Sequence, residues 1–233
     1  MNGAIILART DSTRLPGKAL LKIKNRTLLE WCIESLKGDS NYKIIIATTN
    51  RKIDNTIIEI AKRNNVNFFR GDINNVAKRV LDCAKYFELS AFARVNGDSP
   101  FIRKNLIIKA FNIIEESNFD FVTNLVPRHF PYGIAVEVFK TKTFEETYKS
   151  LETEQHKEHV TTYFYENISK YNSFCLTYMD GIKNDHNIRL VVDTIDDFIK
   201  MNDLIQRVDN DIQTIQTENI VKLFNNLKFQ KND

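Results

Sequence analysis

The sequence predicts an α/β protein built on a mostly parallel sheet with helices on both faces. Three observations carry that expectation. Short apolar or β-branched runs alternate with helix-periodic segments along the chain, which is the sequence form of a parallel sheet covered by helices. The opening run, Ala4 to Ala8, is apolar throughout, as a strand buried on both faces must be. The prolines Pro16, Pro100, Pro127 and Pro131 all fall between a strand candidate and the next element, with Gly17, Gly97 and Gly133 close beside them. Ordinary turns need these residues, but open α/β sheets also bind ligands at the carboxyl ends of their strands.

Taken in order, the strand at Ala4–Ala8 gives way to a polar loop, Arg9 to Lys18. A helix follows over Thr27–Lys37, with Leu28, Trp31, Cys32 and Ser35 close to one face. Tyr42–Thr48 reads as the second strand, and Ile53–Asn64 as its helix, burying Ile57, Ile60 and Ala61. Asn67–Phe69 is a short third strand and Val76–Phe87 a third helix. The fourth strand, Ala91–Val95, ends in Asn96-Gly97-Asp98-Ser99-Pro100, before a helix over Lys104–Ser117 and a strand at Phe119–Thr123. Gly133–Phe139 alternates Ile134, Val136 and Val138 with Ala135 and Glu137, a period of two that predicts an antiparallel or half-exposed strand. Helices at Thr143–Leu151 and Lys157–Asn167, a strand at Asn172–Tyr178, a last strand at Ile188–Val192 and helices at Ile195–Val208 and Thr217–Leu227 complete the pattern. Asp209-Asn210-Asp211 reads as a turn and Gln230–Asp233 as a frayed tail. With no repeat or linker, residues 1–233 are expected to form one domain, with a small protruding β-hairpin between about 125 and 180.

Composition excludes several classes. At 42% hydrophobic and 27% charged over 233 residues, the chain is too apolar for disorder and long enough for a sizeable core. Lys plus Arg is 33 against 30 for Asp plus Glu, a net +3 too mild for a dedicated nucleic-acid binder. No apolar stretch approaches the ~20 residues that span a bilayer, and Met1-Asn2-Gly3 lacks the basic start of a signal peptide. Cys32, Cys83 and Cys175 are an odd, widely spaced set that fits reduced thiols better than disulfides or zinc. A cytoplasmic protein is expected.

The loop after the first strand is the most informative stretch. Arg9, Arg14 and Lys18 put three cations into ten residues, beside Ser12 and Thr13. Guanidinium forks, an ammonium and turning backbone N–H groups suit an anion such as phosphate. The GxxxxGK[ST] spacing is absent, so this is not a Walker loop; a solvated loop is the competing reading. Asp98 and Asp193 each close a predicted strand. On neighbouring strands, their carboxylates would face one crevice opposite the basic loop, a donor set that suits Mg²⁺ bridging protein and nucleotide. Alone, either could equally open a turn or cap a helix, with Asp196 and Asp197 as first-turn acids. Arg79 reads as an exposed helical charge. His129, His156, His159 and His186 show no metal-binding spacing.

The run Arg9-x-x-Ser12-x-Arg14-Leu15-Pro16-x-Lys18 resembles the N-terminal signature of the CMP-sialate and CMP-Kdo synthetases, closest to the spore-coat polysaccharide branch of those cytidylyltransferases. The likeness continues through Ala47-Thr48-Thr49-Asn50, Arg70-Gly71-Asp72, Asn96 to Pro100, Gly133 to Phe139, Glu158 to Thr161 and Arg189 to Phe198. It implies a Rossmann-like, GT-A-like nucleotidyltransferase sheet and transfer of CMP from CTP to a small acidic acceptor with release of pyrophosphate. It further implies that Arg14, Lys18 and Asp98 are catalytic, that Asp98 and Asp193 hold Mg²⁺, and that Ala8, Arg9, Ser12, Arg79, Asn96 and Gly97 bind nucleotide with Arg14 and Lys18. Arg128, Tyr132, Glu137 and His159 fall near the acceptor, and a homodimer through residues 125–180 is implied. One departure stands out. The spore-coat branch often reads Pro-Asp-Gly-Leu-Asp-Val-Glu, whereas this chain has Pro131-Tyr132-Gly133-Ile134-Ala135-Val136-Glu137, two acids fewer, so the acceptor's identity does not follow. A nucleotide-sugar glycosyltransferase is the rival enzyme, although Ser99-Pro100 follows Asp98 where a D-x-D is usual. A non-catalytic nucleotide-binding protein is the other rival.

Overall fold

The computed structural model describes residues 1–159, 161–177, 188–208 and 212–227. In chain order the elements are β1 (Asn2–Leu7), β2 (Lys22–Ile23), β3 (Arg26–Thr27), α1 (Leu28–Leu36), β4 (Tyr42–Thr49), α2 (Asn55–Arg63), β5 (Asn67–Gly71), α3 (Val76–Tyr86) and β6 (Ala91–Asn96). They continue with α4 (Lys104–Glu116), β7 (Phe121–Thr123), β8 (Glu137–Lys140), α5 (Thr141–Tyr148), α6 (Glu154–Glu158), α7 (Thr162–Glu166), β9 (Ser173–Cys175), α8 (Ile195–Arg207) and α9 (Thr217–Asn225).

Among the described residues, seven strands form one sheet in the order β5-β4-β1-β6-β8-β7-β9. All run parallel except β8, which is antiparallel to both β6 and β7. Strand β1 lies inside the sheet, between β4 and β6, and its alternation divides the core. Ala4 and Ile6 face α1, α2 and α4, whereas Ile5 joins Phe92, Phe121 and Phe139 beneath α3, α5 and α7. A third cluster packs Leu28, Trp31 and Phe101 against Leu190, Val192 and the inner faces of α8 and α9. Helix α1 starts where Thr27 accepts from the Glu30 N–H while the Glu30 carboxylate accepts from the Thr27 N–H, a reciprocal cap. Among the described residues, no helix is long and apolar enough to cross a membrane.

Three expectations change. Ile188–Val192 is not a sheet strand: Leu190 N–H donates to the Tyr132 carbonyl and Val192 N–H to the Asp98 carbonyl, so the backbone pairs with two loops instead of a strand edge. Ordered strand in the Gly133–Phe139 run begins only at Glu137, because the Asn124 side chain donates to the Ile134 carbonyl and accepts from the Val136 N–H in place of a ladder. Glu137 itself is buried, against the half-exposed pattern. The two-stranded antiparallel hairpin is β2–β3, while β8 and β9, from the 125–180 stretch, join the main sheet. Val160, Tyr178, His186, the Asp209–Asp211 turn and the Gln230–Asp233 tail lie outside the described residues.

Candidate active site

Strand order reverses between β1 and β6, and the loops leaving these two strands flank a crevice at the sheet's carboxyl edge. A cleft of ≈ 560 Å³ opens there. Its walls include Ala8, Arg9, Ser12, Arg14 and Lys18 after β1, and Asn96, Gly97 and Asp98 at the end of β6. Gly97 matters because a Cβ there would come within 3.1 Å of the Leu7 carbonyl and 3.2 Å of Ala8 Cβ, so any larger residue would push the two strand exits apart by a few tenths of an ångström.

The loop is anchored from below by a residue that the sequence did not single out. Asp54, fully buried, accepts from the Thr10 N–H and hydroxyl, both at 2.8 Å, and its second oxygen takes Thr49 and Arg51. Burial alone would raise its pKa, but these donors outweigh it and hold the carboxyl below its usual range. The loop closes through Gly17 N–H to the Thr10 carbonyl at 2.7 Å, with Gly17 at φ 70. That left-handed turn, which suits glycine, aims Lys18 inward.

Lys18 Nζ donates to Asp98 Oδ2, to Asp193 Oδ1 at 2.9 Å and to the Val192 carbonyl at 3.0 Å. Arg14 reaches the same Asp193 oxygen at 2.9 Å from a side chain 67% exposed. Arg189 holds the other at 3.1 Å. Burial would lower the Lys18 pKa, but the Asp98 charge and the two carboxylate hydrogen bonds raise it above its ordinary value. Burial would likewise raise Asp193, and Lys18, Arg14 and Arg189 together lower it. The capping alternative for Asp193 falls away: Thr194 caps α8 and Asp197 completes the reciprocal box, leaving the Asp193 carboxylate to the cleft. The two aspartates come together through the backbone bond from Val192 N–H to the Asp98 carbonyl, not through adjacent strands.

The cleft's other residues include Val76, Arg79, Arg94, Tyr132, Glu158 and His159. Arg79 is 2% exposed, not the solvated helical charge that its position suggested. Its Nη1 donates to the Asp72 carbonyl at 2.7 Å, while its buried Nε has no partner. Burial, with Arg9 nearby, lowers its pKa to about 10, so it stays charged at neutral pH. Arg94 was also missed, since a lone Arg inside an apolar strand carries no motif. It is held by Glu137 at 2.8 Å, and Glu137 in turn accepts from the Tyr165 hydroxyl at 2.7 Å. Glu137 therefore stands behind Arg94 rather than on the cleft wall. Arg128 is not part of the lining either; its guanidinium stacks over the Tyr132 ring at 4.2 Å, and Arg189 lies over that ring at 4.9 Å. His159 does line the cleft, whereas His156 pairs with Glu166.

Chemically, the cleft offers the cations Arg9, Arg14, Lys18, Arg79 and Arg94 around the paired carboxylates of Asp98 and Asp193, with Glu158 beside Arg9 at 3.4 Å. Among the described residues, no three His, Cys, Asp or Glu side chains cluster as a self-sufficient metal cage. Two carboxylates and a carbonyl gathered around one cation fit Mg²⁺, which is commonly held by one or two carboxylates plus substrate phosphates and water. Such a site suits a nucleoside triphosphate.

Comparison with known proteins agrees. Over 195 residues the chain is 37% identical to an uncharacterized protein of Methanocaldococcus jannaschii, covering 83% of this chain and 79% of that one. It is 26% identical over 212 residues to the spore coat polysaccharide biosynthesis protein SpsF of Bacillus subtilis, covering 87% and 85%. The solved structure of a cytidylyltransferase from Leptospira borgpetersenii superposes with a TM-score of 0.87 at 28% identity, over 96% of this chain and 93% of that one. The family profile described as cytidylyltransferase matches residues 3–231. With a nucleotide-sized cleft at the switch point of its sheet, the chain belongs to the cytidylyltransferase family and is a CTP-dependent nucleotidyltransferase.

Proposed function

We propose that this enzyme transfers CMP from CTP to the hydroxyl of an acidic sugar or a related small acceptor, in the synthesis of surface polysaccharide or glycoconjugate precursors. The acceptor oxygen attacks the α-phosphorus in line, and the bond to the bridging oxygen breaks as pyrophosphate leaves. The single observation that supports this most directly is the meeting of Lys18, Asp98 and Asp193 at the β1–β6 exit.

Arg14, Lys18 and the loop N–H groups grip the β- and γ-phosphates and stabilise charge growing on the leaving group. Ala8, Arg9, Ser12, Asn96, Gly97 and Arg79 hold the nucleoside side of CTP. Asp98 and Asp193 hold Mg²⁺, which when bound polarises the α-phosphate and favours deprotonation of the acceptor hydroxyl. Tyr132 and His159 flank the acceptor; Arg128 and Glu137 act behind Tyr132 and Arg94. Little covalent work falls to the protein, so positioning and electrostatics dominate.

The likeness of the loop and Asp98 motifs to the CMP-sugar-acid synthetases supports an acidic acceptor, and the relation to SpsF supports a polysaccharide pathway. Free Cys32, Cys83 and Cys175 support a reducing, cytoplasmic setting. The test is incubation with CTP, Mg²⁺ and a panel of sugar acids, phosphorylated sugars and neutral sugars, following pyrophosphate. Release with an acidic member supports the reading. Release only with neutral sugars, or with none of the panel, counts against it.

A further inference from the structure

The three protons of the Lys18 ammonium are matched by three oxygens: Asp98 Oδ2, Asp193 Oδ1 and the Val192 carbonyl. These are the hard oxygens a divalent cation would take, and Mg²⁺ binds such ligands at about 2.0–2.1 Å. Lys18 Nζ and the ion therefore cannot share the seat. The seat itself is fixed, because the Val192 N–H donates to the Asp98 carbonyl at 3.2 Å and Asp193 is braced by Arg189. The lysine is the movable partner. Its side chain lines the open cleft, and its flexible four-carbon stem can swing toward phosphate oxygens there.

We infer that Lys18 guards the cation seat, so that a divalent ion enters only as the triphosphate draws the ammonium away. This rests on the nucleotide reading above and adds an order to it: metal and CTP are taken up together, and the nucleotide-free enzyme holds divalent cations weakly. Arg14 supplies a built-in control. It carries the same charge and touches the same Asp193 oxygen, but from the solvent side and without reaching Asp98.

The experiment is titration of the full chain with Mn²⁺, followed by loss of the free-ion paramagnetic resonance signal, for wild type, Lys18→Met and Arg14→Met. Thermal melting first establishes that each variant is folded, and Lys18→Gln replaces Lys18→Met should the latter not fold. Without nucleotide, emptying the seat is expected to tighten Mn²⁺ binding by about tenfold or more. Arg14→Met should change it by less than about threefold. An unchanged or weaker affinity in the Lys18 variant overturns the inference, as does an equal gain in Arg14→Met, which would mean a plain charge effect. Calorimetry of CTP binding to wild type is a separate arm. Its failure removes the nucleotide reading, while the nucleotide-free titrations still decide whether Lys18 and the metal compete.

Discussion

Lys18 touches both carboxylates and the Val192 carbonyl, so its loss should fall on chemistry more than on folding. Lys18→Ala is expected to cost about 2–4 kcal/mol of transition-state stabilisation, the range for one preorganised donor, read as kcat/KM for pyrophosphate release. An unchanged kcat/KM removes Lys18 from the site. Asp98→Asn keeps the side-chain shape while removing the charge; turnover should be lost with the circular dichroism spectrum retained, and near-normal turnover contradicts a metal-holding role. Glu137 belongs to a different class. It is 1% exposed and is the salt-bridge partner of Arg94, so Glu137→Ala should destabilise the protein by roughly 3 kcal/mol. An unchanged urea midpoint would show that the pair contributes nothing. The basic loop and both aspartates were legible in the sequence because motifs carry them. Arg94, Asp54 and the true setting of Glu137 were not, because each depends on a partner at least 43 positions away in the chain, a pairing fixed only by sheet register and tertiary packing.

At the scale of elements, strands β1, β4, β5 and β6 were legible from their apolar runs and helices α1 to α4 from their period, whereas the short β2–β3 hairpin was not. Where reading failed, the backbone had found irregular partners. A short, mostly apolar run such as Ile188–Val192, broken only by Arg189, looks the same whether it enters a sheet or is clamped between loops. Helix α1 provides a test of local design. Thr27→Ala removes its cap and should cost about 1 kcal/mol in urea denaturation; no loss would show that packing alone holds the helix start. Its partner Glu30 pays a burial penalty that would raise its pKa. Hydrogen bonds from Thr27, Arg63 and Asn64 reverse this and hold the carboxyl at about 2, against 4.5 for a free glutamate. Because the folded value is lowered, this stabilisation is complete above about pH 4.5 and fades as pH falls toward 2. Comparing melting temperatures at pH 7 and pH 3, Glu30→Gln should lose less on acidification than wild type. An equal loss would place the acid sensitivity elsewhere.

For the whole molecule, a mostly parallel sheet with a core cluster on each face follows from alternating strands and helices, and the period-two run at Gly133–Phe139 foretold that β8 is antiparallel, whereas the order of the strands has no sequence signal of its own. Residues 125–180 are proposed as the homodimer interface. Supporting this are the exposed side chains of Val126 and Phe174, the latter on β9 at the sheet's edge, an edge that pairs readily unless covered. Sedimentation velocity should find a dimer, and Phe174→Glu should shift it toward monomer; a monomeric wild type ends this proposal.

The tie between Val192 and Asp98 has a further consequence. Asp193 owes its place to a short extended segment whose apolar side chains are packed by α8 and α9, outside the hydrogen-bonded ladder of the main sheet. On the proposed reading of Asp193 as a metal ligand, catalytic competence hangs on a peripheral layer whose local opening need not await collapse of the β-structure. Under mild denaturant, turnover should vanish while the amides of β1 and β4 still resist deuterium exchange.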